Sequence, residues 1–384
     1  MTSTTKTLIY LDNAATTPVD PAVWAEMQPY FEHFTANPSS IHSHGRQAKV
    51  AVEKARKTIA TLLGASPSEI FFTSGGTEAD NTALVCGIES HGISHAITSP
   101  VEHHAVLHTL EMLAKKGQVQ LSLLEVNEKG EIDLAQLEEL LKKNPKSLVS
   151  LMQGNNEIGN LNDLERIGQM TQAHGAFFHS DTVQTMGHYN HDLSTLPVDA
   201  LVAGAHKFHG PKGVGFLYVR KDKKIHPFIH GGAQERNMRG GTENVIGIIG
   251  LAKALEISLE ELAAHRSHIE KLKGYFIEKL GQEIPGITFN GCSADLQKSL
   301  YTVLSVSLPP SEANRGMLLF HLDLEGISAS GGSACSSGAS VGSHVMRALQ
   351  HPADRDVVRF SFSRFTTMEE IDYTLEKLKT LYIH

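Results

Sequence analysis

Residues 147–181 read SLVSLMQGNNEIGNLNDLERIGQMTQAHGAFFHSD and contain one complete strand-helix-strand unit. Two apolar runs in it, Ser147 to Met152 and Ala176 to His179, have the length of buried strands. Between them, Leu161 to His174 carries apolar residues at three- and four-residue intervals, which predicts an amphipathic helix. A helix that connects two strands in this way makes them parallel members of one sheet. The segment therefore predicts an α/β fold with a mainly parallel sheet.

The same alternation continues on both sides of this unit, from about residue 47 to residue 260. The pattern predicts helices over Gln47 to Leu63, Thr77 to Ile88, Ala105 to Lys116 and Leu134 to Lys143, and strands over Glu69 to Thr73, His95 to Thr98, Val119 to Leu124 and Ala200 to Ala203. A parallel sheet built from such units is covered by helices on both faces.

A second unit follows this region. After residue 242 the pattern becomes a long helical stretch, Gly247 to Gly281. The elements predicted beyond it are strand Tyr301 to Ser307, helix Arg315 to Glu325, helix Gly342 to Leu349, strand Val357 to Ser363 and a closing helix from Met368. We therefore expect a large domain over 16–260 and a smaller α/β domain made of 1–15 and 261–384.

The composition excludes several classes of protein. The chain has 384 residues, 41% hydrophobic and 20% charged, with a formal net charge of -8. This balance is typical of a packed globular protein, and the absence of a basic block in the sequence argues against nucleic acid as a partner. No run approaches 18 apolar residues and the N-terminus is polar, so we expect no membrane span, no secretory signal and a cytoplasmic location.

Two charged side chains follow predicted strands. Lys207 comes after Ala200 to Ala203, and Asp181 comes after Ala176 to His179. Ligands bind at the carboxyl edge of an open α/β sheet, where a partly buried lysine can attack a carbonyl. Asp181 could then face the ring nitrogen of pyridoxal phosphate, which needs an anionic partner. A solvated surface lysine and a helix N-cap are the alternatives for these two residues.

A third motif, Ser74-Gly75-Gly76-Thr77, follows the strand Glu69 to Thr73 and opens a helix. Free N–H groups at a helix start can hold a phosphate group. A Gly-Gly pair is also common in simple tight turns, so the motif alone is a weak signal. Together with Lys207 and Asp181 it indicates a phosphate-bearing cofactor.

The three cysteines are too few for a disulfide framework and differ in their surroundings. Cys335 lies in SGGSACSSG at 330–338, a segment of small residues that we expect to be mobile. A mobile thiol can visit a buried cleft and then an outside acceptor. Cys86 fits an inert core position, and Cys292 fits an ordinary loop thiol to which we assign no role.

A group of neighbouring histidines raises the question of a metal site. His104 and His108 are one helical turn apart and His103 precedes them. Neither an acidic residue nor a cysteine completes a ligand set at a suitable spacing, so we expect no metal.

Further motifs stand in an order that one enzyme family shares. They are YLDNAATTP at 10–18, NPSS at 37–40, NNEIG at 155–159, HKFHGPKG at 206–213, RGGTEN at 239–244 and RFSFSRFTT at 359–367. The chain resembles the cysteine desulfurases of the NifS/IscS-like group over nearly its whole length. The resemblance implies a homodimeric fold-type I transferase that uses pyridoxal 5'-phosphate. It also implies conversion of L-cysteine to L-alanine, with the sulfur left on the enzyme as a persulfide for iron-sulfur cluster assembly or another acceptor protein.

The resemblance also implies a role for each matching residue. Lys207 would carry the cofactor, Asp181 would face the ring nitrogen, Gln184 and Asn156 would face the phenolic oxygen, and His103 would stack on the ring and move protons. The phosphate would be held by Gly76, Thr77 and His206, and by Thr242 of the other subunit. Arg359 and Asn37 would receive the substrate carboxylate, and Cys335 would take the sulfur.

Some questions stay open at this level. Gly204 stands where relatives often have a serine that contacts the phosphate, which leaves the cofactor affinity open. Arg359 has a structural ion pair as its alternative role. For the whole protein, an aminotransferase or another lyase with an incidental Cys335, and a non-catalytic partner in sulfur trafficking, are the alternative functions.

Overall fold

The computed structural model describes residues 8–33, 36–311, 314, 316–331 and 343–382. The strands are β1 (Ile9–Tyr10), β2 (Ile70–Thr73), β3 (His95–Thr98), β4 (Gln120–Leu123), β5 (Leu148–Ser150), β6 (Phe177–Asp181), β7 (Ala200–Gly204), β8 (Gly215–Val219), β9 (Thr288–Phe289), β10 (Val303–Ser307), β11 (Ile327–Ser328) and β12 (Val357–Ser361).

The helices follow the same chain order. They are α1 (Pro21–His33), α2 (Ser43–Leu62), α3 (Gly76–Asn81), α4 (Gly87–His91), α5 (His104–Lys115), α6 (Leu134–Lys143), α7 (Leu164–Ala173), α8 (Val245–Glu260), α9 (Leu262–Glu283), α10 (Leu318–Leu324), α11 (His344–Ala348) and α12 (Met368–Tyr382). A π-helical turn over Thr82–Cys86 joins α3 to α4.

A seven-stranded sheet in the order β2-β8-β7-β6-β5-β3-β4 forms the centre of the larger unit. The pairs from β7 to β4 are parallel, which confirms the predicted α/β fold with a mainly parallel sheet. Strand β8 was not predicted, and it pairs antiparallel with both β2 and β7. It follows β7 after a short turn rather than a helix, so the strand-helix alternation gives no signal for it.

Alternate residues of the central strands enter two different apolar clusters. On β6, Phe178 packs in the cluster that includes residues of α2, α7 and α8, whereas Phe177 packs in the cluster that includes residues of α3 and α5. On β7, Leu201 and Val202 divide in the same way. Successive side chains of a strand point to opposite faces, so helices cover both faces of the sheet. This explains why the strands read as continuous apolar runs.

A smaller antiparallel sheet, β12-β10-β9, and the parallel pair β1-β11 lie in the second unit. Their apolar side chains pack with α9 and α12 in one cluster that contains Leu11, Phe276 and Phe360. The predicted helix from Gly247 to Gly281 is two helices, because α8 ends at Glu260 and α9 begins at Leu262. The domain limits given above stay a prediction. Within the described ranges, none of the helices combines the length and the apolar composition that crossing a bilayer requires.

Candidate active site

A cavity of ≈ 270 Å³ lies at the carboxyl edge of the central sheet. Its walls come from residues that end or follow β3, β5, β6 and β7, from the start of α3, and from β12. Most of the residues proposed from the sequence line it: Gly76, Thr77, His103, Asn156, Asp181, Gln184, His206, Lys207 and Arg359. Parallel strands present their carboxyl ends at one edge, which is why residues far apart in the sequence meet there.

Lys207 is held in the cavity by neutral acceptors. The chain leaves β7 through a short 3₁₀ turn, Ala205–Lys207, and the Lys207 Nζ donates to the carbonyl oxygens of Ala14 at 2.5 Å and Ala15 at 3.0 Å. The carbonyl oxygen of Lys207 is 3.1 Å from Nε2 of His188, so the backbone is also fixed. The alternative of a solvated surface lysine is therefore wrong.

Asp181 is the last residue of β6 and is 6% exposed. Its Oδ1 accepts the backbone N–H of Val183 at 2.8 Å. Residues 182–190 contain no helix, so the alternative of a helix N-cap is wrong. One side-chain ligand atom each of Asp181, Asp80 and His103 lie within 4.8 Å of one another. The carboxylate thus shares the cavity with a second acid and an imidazole.

His103 is fixed by the helix that follows it. It is the N-cap of α5, and its Nδ1 accepts the N–H of Ala105 at 3.1 Å. We assign the proton of the neutral ring to Nε2 from this hydrogen bond. Burial lowers the pKa of His103, although the charge of Asp181 opposes this shift. The imidazole is therefore neutral at pH 7 and is able to take up a proton.

Arg359 reaches the cavity from β12 of the smaller sheet. Its neighbours Val358 and Phe360 enter the apolar cluster, whereas the guanidinium group donates to the carbonyl oxygen of Asn156 at 2.7 Å and to Oδ1 of Asp12 at 2.7 Å. Arg359 therefore faces away from the apolar side chains of its strand. The structural ion pair considered from the sequence exists, with Asp12 as its acid, and the same side chain lines the cavity.

Two of the proposed residues do not line this cavity, and a third lies outside the described residues. Asn37 is exposed, and its Oδ1 accepts the N–H of Ser39 at 2.8 Å. Thr242 is exposed and borders a separate cavity of ≈ 110 Å³ beside Ser74 and Arg239. Cys335 lies outside the described residues, together with the rest of 332–342.

The described residues on either side of 332–342 contact the walls of the cavity. The backbone N–H and carbonyl of Ser330 pair with the backbone of Arg359 at 3.3 and 2.6 Å. On the other side, the Ser343 hydroxyl donates to the carboxylate of Glu157, and His344 itself lines the cavity. The described residues that flank the segment with Cys335 therefore lie beside the cavity at both of its ends.

The other two cysteines, Cys86 and Cys292, are buried, and burial does not favour a reactive thiol. Cys86 is fully buried in an apolar cluster, and burial raises the pKa of its thiol to about 12, which confirms the inert core position. Cys292 is only 7% exposed, and its N–H donates to Oδ1 of Asn160 at 2.7 Å. Cys292 lies in a turn, which agrees with the interpretation as a loop thiol, and its burial was not predicted.

Sequence reasoning missed several residues that line the cavity. Asp80 lies four residues after Gly76, so the helical period placed it on the same face of α3 as the predicted phosphate motif. Glu157 follows Asn156 within the NNEIG motif, which gave a local signal. His344 comes from α11, and we find no signal in the sequence that brings it here.

The residues present fit pyridoxal phosphate. The N-cap residue of α3 is Gly75, which has no side chain to accept the N–H groups of the first turn, so those near Gly76 are available to an anion. Burial lowers the pKa of His206 to about 4, which leaves its ring neutral, and Nδ1 lies 3.2 Å from the hydroxyl of Thr16. A Cβ built on Gly204 would lie 3.6 Å from the Gly76 nitrogen, an ordinary contact, so this wall has room for a phosphate ligand or a serine hydroxyl.

The comparisons with known proteins agree with this geometry. Residues 9–374 match the family model of class-V aminotransferases. The chain is 42% identical, over 97% of its length and 94% of the relative, to a protein named cysteine desulfurase IscS from Dictyoglomus turgidum. It is 38% identical to a solved NifS-like protein, with a TM-score of 0.88 over 98% of this chain and 99% of that one. A structure of SspA in complex with cysteine is 30% identical, with a TM-score of 0.80 over 94% of this chain and 100% of that one.

Proposed function

Because the chain belongs to the aminotransferase class-V family and is a cysteine desulfurase that uses pyridoxal phosphate, we propose that it moves the sulfur of L-cysteine onto Cys335. The products are L-alanine and a Cys335 persulfide, which passes its outer sulfur to an iron-sulfur scaffold or another cytoplasmic acceptor. The observation that carries the proposal is the meeting of Lys207, Asp181, His103 and Arg359 in one cavity beside both connections of the segment that bears Cys335.

Pyridoxal phosphate supplies a carbonyl that binds an amine and a ring that takes up electrons from the substrate. Lys207 would hold it covalently, and Asp181 would face the ring nitrogen. Gln184 and Asn156 would lie at the phenolic oxygen, and the start of α3 with His206 would lie at the phosphate. The Gln184 amide is already oriented, because Nε2 donates to the Ala14 carbonyl at 3.0 Å.

His103 and Lys207 are the groups suited to moving protons. The neutral imidazole of His103 can accept a proton and return it, because burial keeps its pKa below the ordinary value. The Lys207 amine, once free of the cofactor, can take a proton from the α-carbon of the substrate. Its backbone is fixed by His188, which keeps the amine near one position.

Arg359 is the group suited to the substrate carboxylate. A guanidinium group binds a carboxylate through two parallel N–H donors. The Asp12 carboxylate already binds one nitrogen atom of the Arg359 guanidinium group. A bound substrate would therefore share this group with Asp12. Asn37, which lies outside this cavity in the single chain, is the second residue proposed for the carboxylate.

Cys335 is the proposed sulfur acceptor. In the net step the carbon-sulfur bond of L-cysteine breaks and a sulfur-sulfur bond to Sγ of Cys335 forms. The carbon that loses sulfur gains a proton, so one substrate and one thiol give one alanine and one persulfide. Cys335 is five residues from Ser330, and five extended residues span up to about 17 Å. The anchored ends therefore leave enough chain for the thiol to enter the cavity.

We also propose a homodimer in which Thr242 contacts the phosphate bound by the partner subunit. Supporting this, Thr242 lies at the surface, outside the cavity of its own chain. Trp24 and Phe31 on α1 are 54% and 55% exposed, with ring centroids 5.8 Å apart. Exposed aromatic clusters of this kind are common at subunit interfaces.

The test of the function compares Cys335→Ser with Cys292→Ser. In Cys335→Ser, we expect the cofactor absorbance to remain while alanine formation from L-cysteine falls by at least about 10³-fold, as for loss of an enzyme nucleophile. Cys292→Ser, a matched thiol-to-hydroxyl change, should keep the wild-type rate. Equal amounts of alanine and persulfide in the first turnover separate this reaction from transamination. Wild-type alanine formation by Cys335→Ser would contradict the proposal.

A further inference from the structure

Asp80 is a buried acid in the cavity that none of the roles above uses. It lies on α3, lines the cavity and is 1% exposed. Among the described residues, no hydrogen bond reaches its Oδ1. Nε2 of His179 lies 3.3 Å from this oxygen, but the two atoms are not aligned as a hydrogen bond. Asp181 differs, because a backbone N–H donates to its carboxylate.

Among the described residues, the charges that act most strongly on Asp80 are negative, although Lys207 and Arg359 line the same cavity. Asp181 and His103 have side-chain atoms within 4.8 Å of it, and Glu102 is a third buried acid nearby. Burial lowers the pKa of His179 to about 3, so this neighbour is neutral at pH 7, and its Nδ1 is engaged with the Ser150 hydroxyl at 2.9 Å. His103 is also neutral, as described above.

Ionisation of Asp80 would therefore be costly. A buried carboxylate that has an oxygen without a hydrogen-bond donor loses hydration there, and neighbouring carboxylates in one dry site do not both ionise readily. Burial comes first, and the charges of Asp181 and Glu102 follow, in raising the pKa of Asp80 well above its ordinary value. The geometry and the electrostatics both favour the protonated, neutral form of the Asp80 carboxyl group.

We propose that Asp80 is protonated at neutral pH, so that Asp181 alone supplies the negative charge that faces the cofactor ring nitrogen. Asp80 is then a positioning residue, which acts through Asp181 by adding no second negative charge beside it. The cofactor is taken from the proposed function, on which the inference rests in this respect. The protonation of Asp80 itself is a property of the protein without cofactor.

Infrared spectroscopy at pH 8 on the cofactor-free protein tests this directly. The protein is labelled with aspartate that carries ¹³C in the side-chain carboxyl group. We expect a carboxylic acid C=O band that shifts with the label, disappears in Asp80→Asn and persists in Asp181→Asn. A contribution from Glu102 would not shift with labelled aspartate. Absence of a label-sensitive acid band in the wild type, or its persistence in Asp80→Asn, would overturn the proposal. The wild-type arm does not depend on the folding of any variant.

Cofactor affinity gives a second readout. We expect Asp80→Asn to change the Kd for pyridoxal phosphate by less than about threefold, because it replaces one neutral group with another of equal size. Asp181→Asn should raise the Kd by about 10- to 100-fold, the range for loss of a charged hydrogen-bond partner. Equal weakening in both variants would mean that Asp80 is charged. If neither variant nor the wild type binds the cofactor, the proposed function fails, and the infrared result still decides the state of Asp80.

Discussion

Lys207 and Arg359 are two cations that line the same cavity, but their surroundings hold them differently. Lys207 follows β7 of the large sheet, and its amine donates to two backbone carbonyls. Arg359 lies on β12 of the small sheet, and its guanidinium group binds the carboxylate of Asp12 as well as a carbonyl.

The difference between these hydrogen-bond acceptors corresponds to the role that is proposed for each side chain. A carboxylate partner strongly favours the charged form of a base, whereas a neutral carbonyl acceptor orients an amine and adds no full negative charge of its own. The lysine that must lose its proton to react is held by carbonyls. The arginine that must stay charged is held by a carboxylate. In the proposed mechanism, the wall of the cavity next to the large sheet supplies the nucleophile Lys207, and the wall next to the small sheet supplies the anion receptor Arg359.

The largest expected effect comes from Lys207→Arg. Arginine keeps the charge and can still donate to carbonyl oxygens, but it stays protonated at neutral pH and cannot attach the cofactor. We expect alanine formation to fall by at least about 10³-fold, and the absorbance of the attached cofactor to disappear. Lys212→Arg at an exposed position nearby is the control and should behave as wild type. Activity above a few per cent in Lys207→Arg would remove the nucleophile from the large-sheet wall.

The second effect is on stability, from Asp12→Asn. Arg359 is 1% exposed, so loss of the anionic partner removes a bonded counter-charge from a buried guanidinium group. We expect unfolding by urea to show a loss of about 3 kcal/mol. The matched control is Asp222→Asn, whose partner Arg220 lies at 2.7 Å but whose own side chain is 59% exposed, and this change should cost less than about 1 kcal/mol. Equal losses in both would show that burial does not distinguish these two ion pairs.

Arg359→Lys should act on substrate binding. Lysine keeps the charge but lacks the planar pair of donors that matches a carboxylate. We expect the KM for L-cysteine to rise about 10- to 100-fold, with a smaller change in kcat. Steady-state alanine formation measures both constants. An unchanged KM would leave Arg359 with only its structural pair to Asp12.

Acid should lower the free energy of unfolding through His209, which lies close to Lys207 in the sequence. Burial lowers the pKa of His209, two residues after Lys207, to about 3, whereas an unfolded histidine titrates near 6.5. Between these values the unfolded state binds an extra proton, so His209 contributes stability at neutral pH that is lost as the pH falls. Its contribution to the slope is about 1.4 kcal/mol per pH unit.

Urea unfolding between pH 6 and pH 4.5 measures this slope. His209→Asn should reduce it, and asparagine also suits the backbone, because φ is 67° at this position. His44→Asn, at an exposed position on α2, is the control and should keep the wild-type slope. An unchanged slope in His209→Asn would mean that this histidine is protonated in the folded protein.

The smallest effect is expected from Gly204→Ser. The geometry leaves room for a Cβ at this position, close to the Gly76 nitrogen at the phosphate end of the cavity. An added hydroxyl should contribute one hydrogen bond of about 1 kcal/mol and lower the Kd for pyridoxal phosphate about fivefold. Gly204→Ala controls for the added carbon. Weaker binding by both variants would show that the wall is closed to a side chain.

The cavity residues from the large sheet were also easier to predict from the sequence than those from the small sheet. Lys207 and Asp181 end or follow strands that read as apolar runs, and the parallel arrangement of those strands fixes the edge at which they meet. For Arg359, the motif at 359–367 indicated the residue, but Asp12 lies more than three hundred residues away, and local patterns carry no information about such a pair. The buried state of Cys292 escaped prediction for the same reason, since it depends on a contact with the distant Asn160. Strand β8 escaped prediction because no α-helix separates it from β7.

The account depends most on the transfer of sulfur to Cys335, and mass spectrometry measures it directly. The protein is mixed with one equivalent of L-cysteine, alkylated and digested. We predict one added sulfur atom on the peptide that contains Cys335, in an amount equal to the alanine released, and none on the peptides that contain Cys86 or Cys292. Alanine release with no added sulfur on the Cys335 peptide would contradict the account.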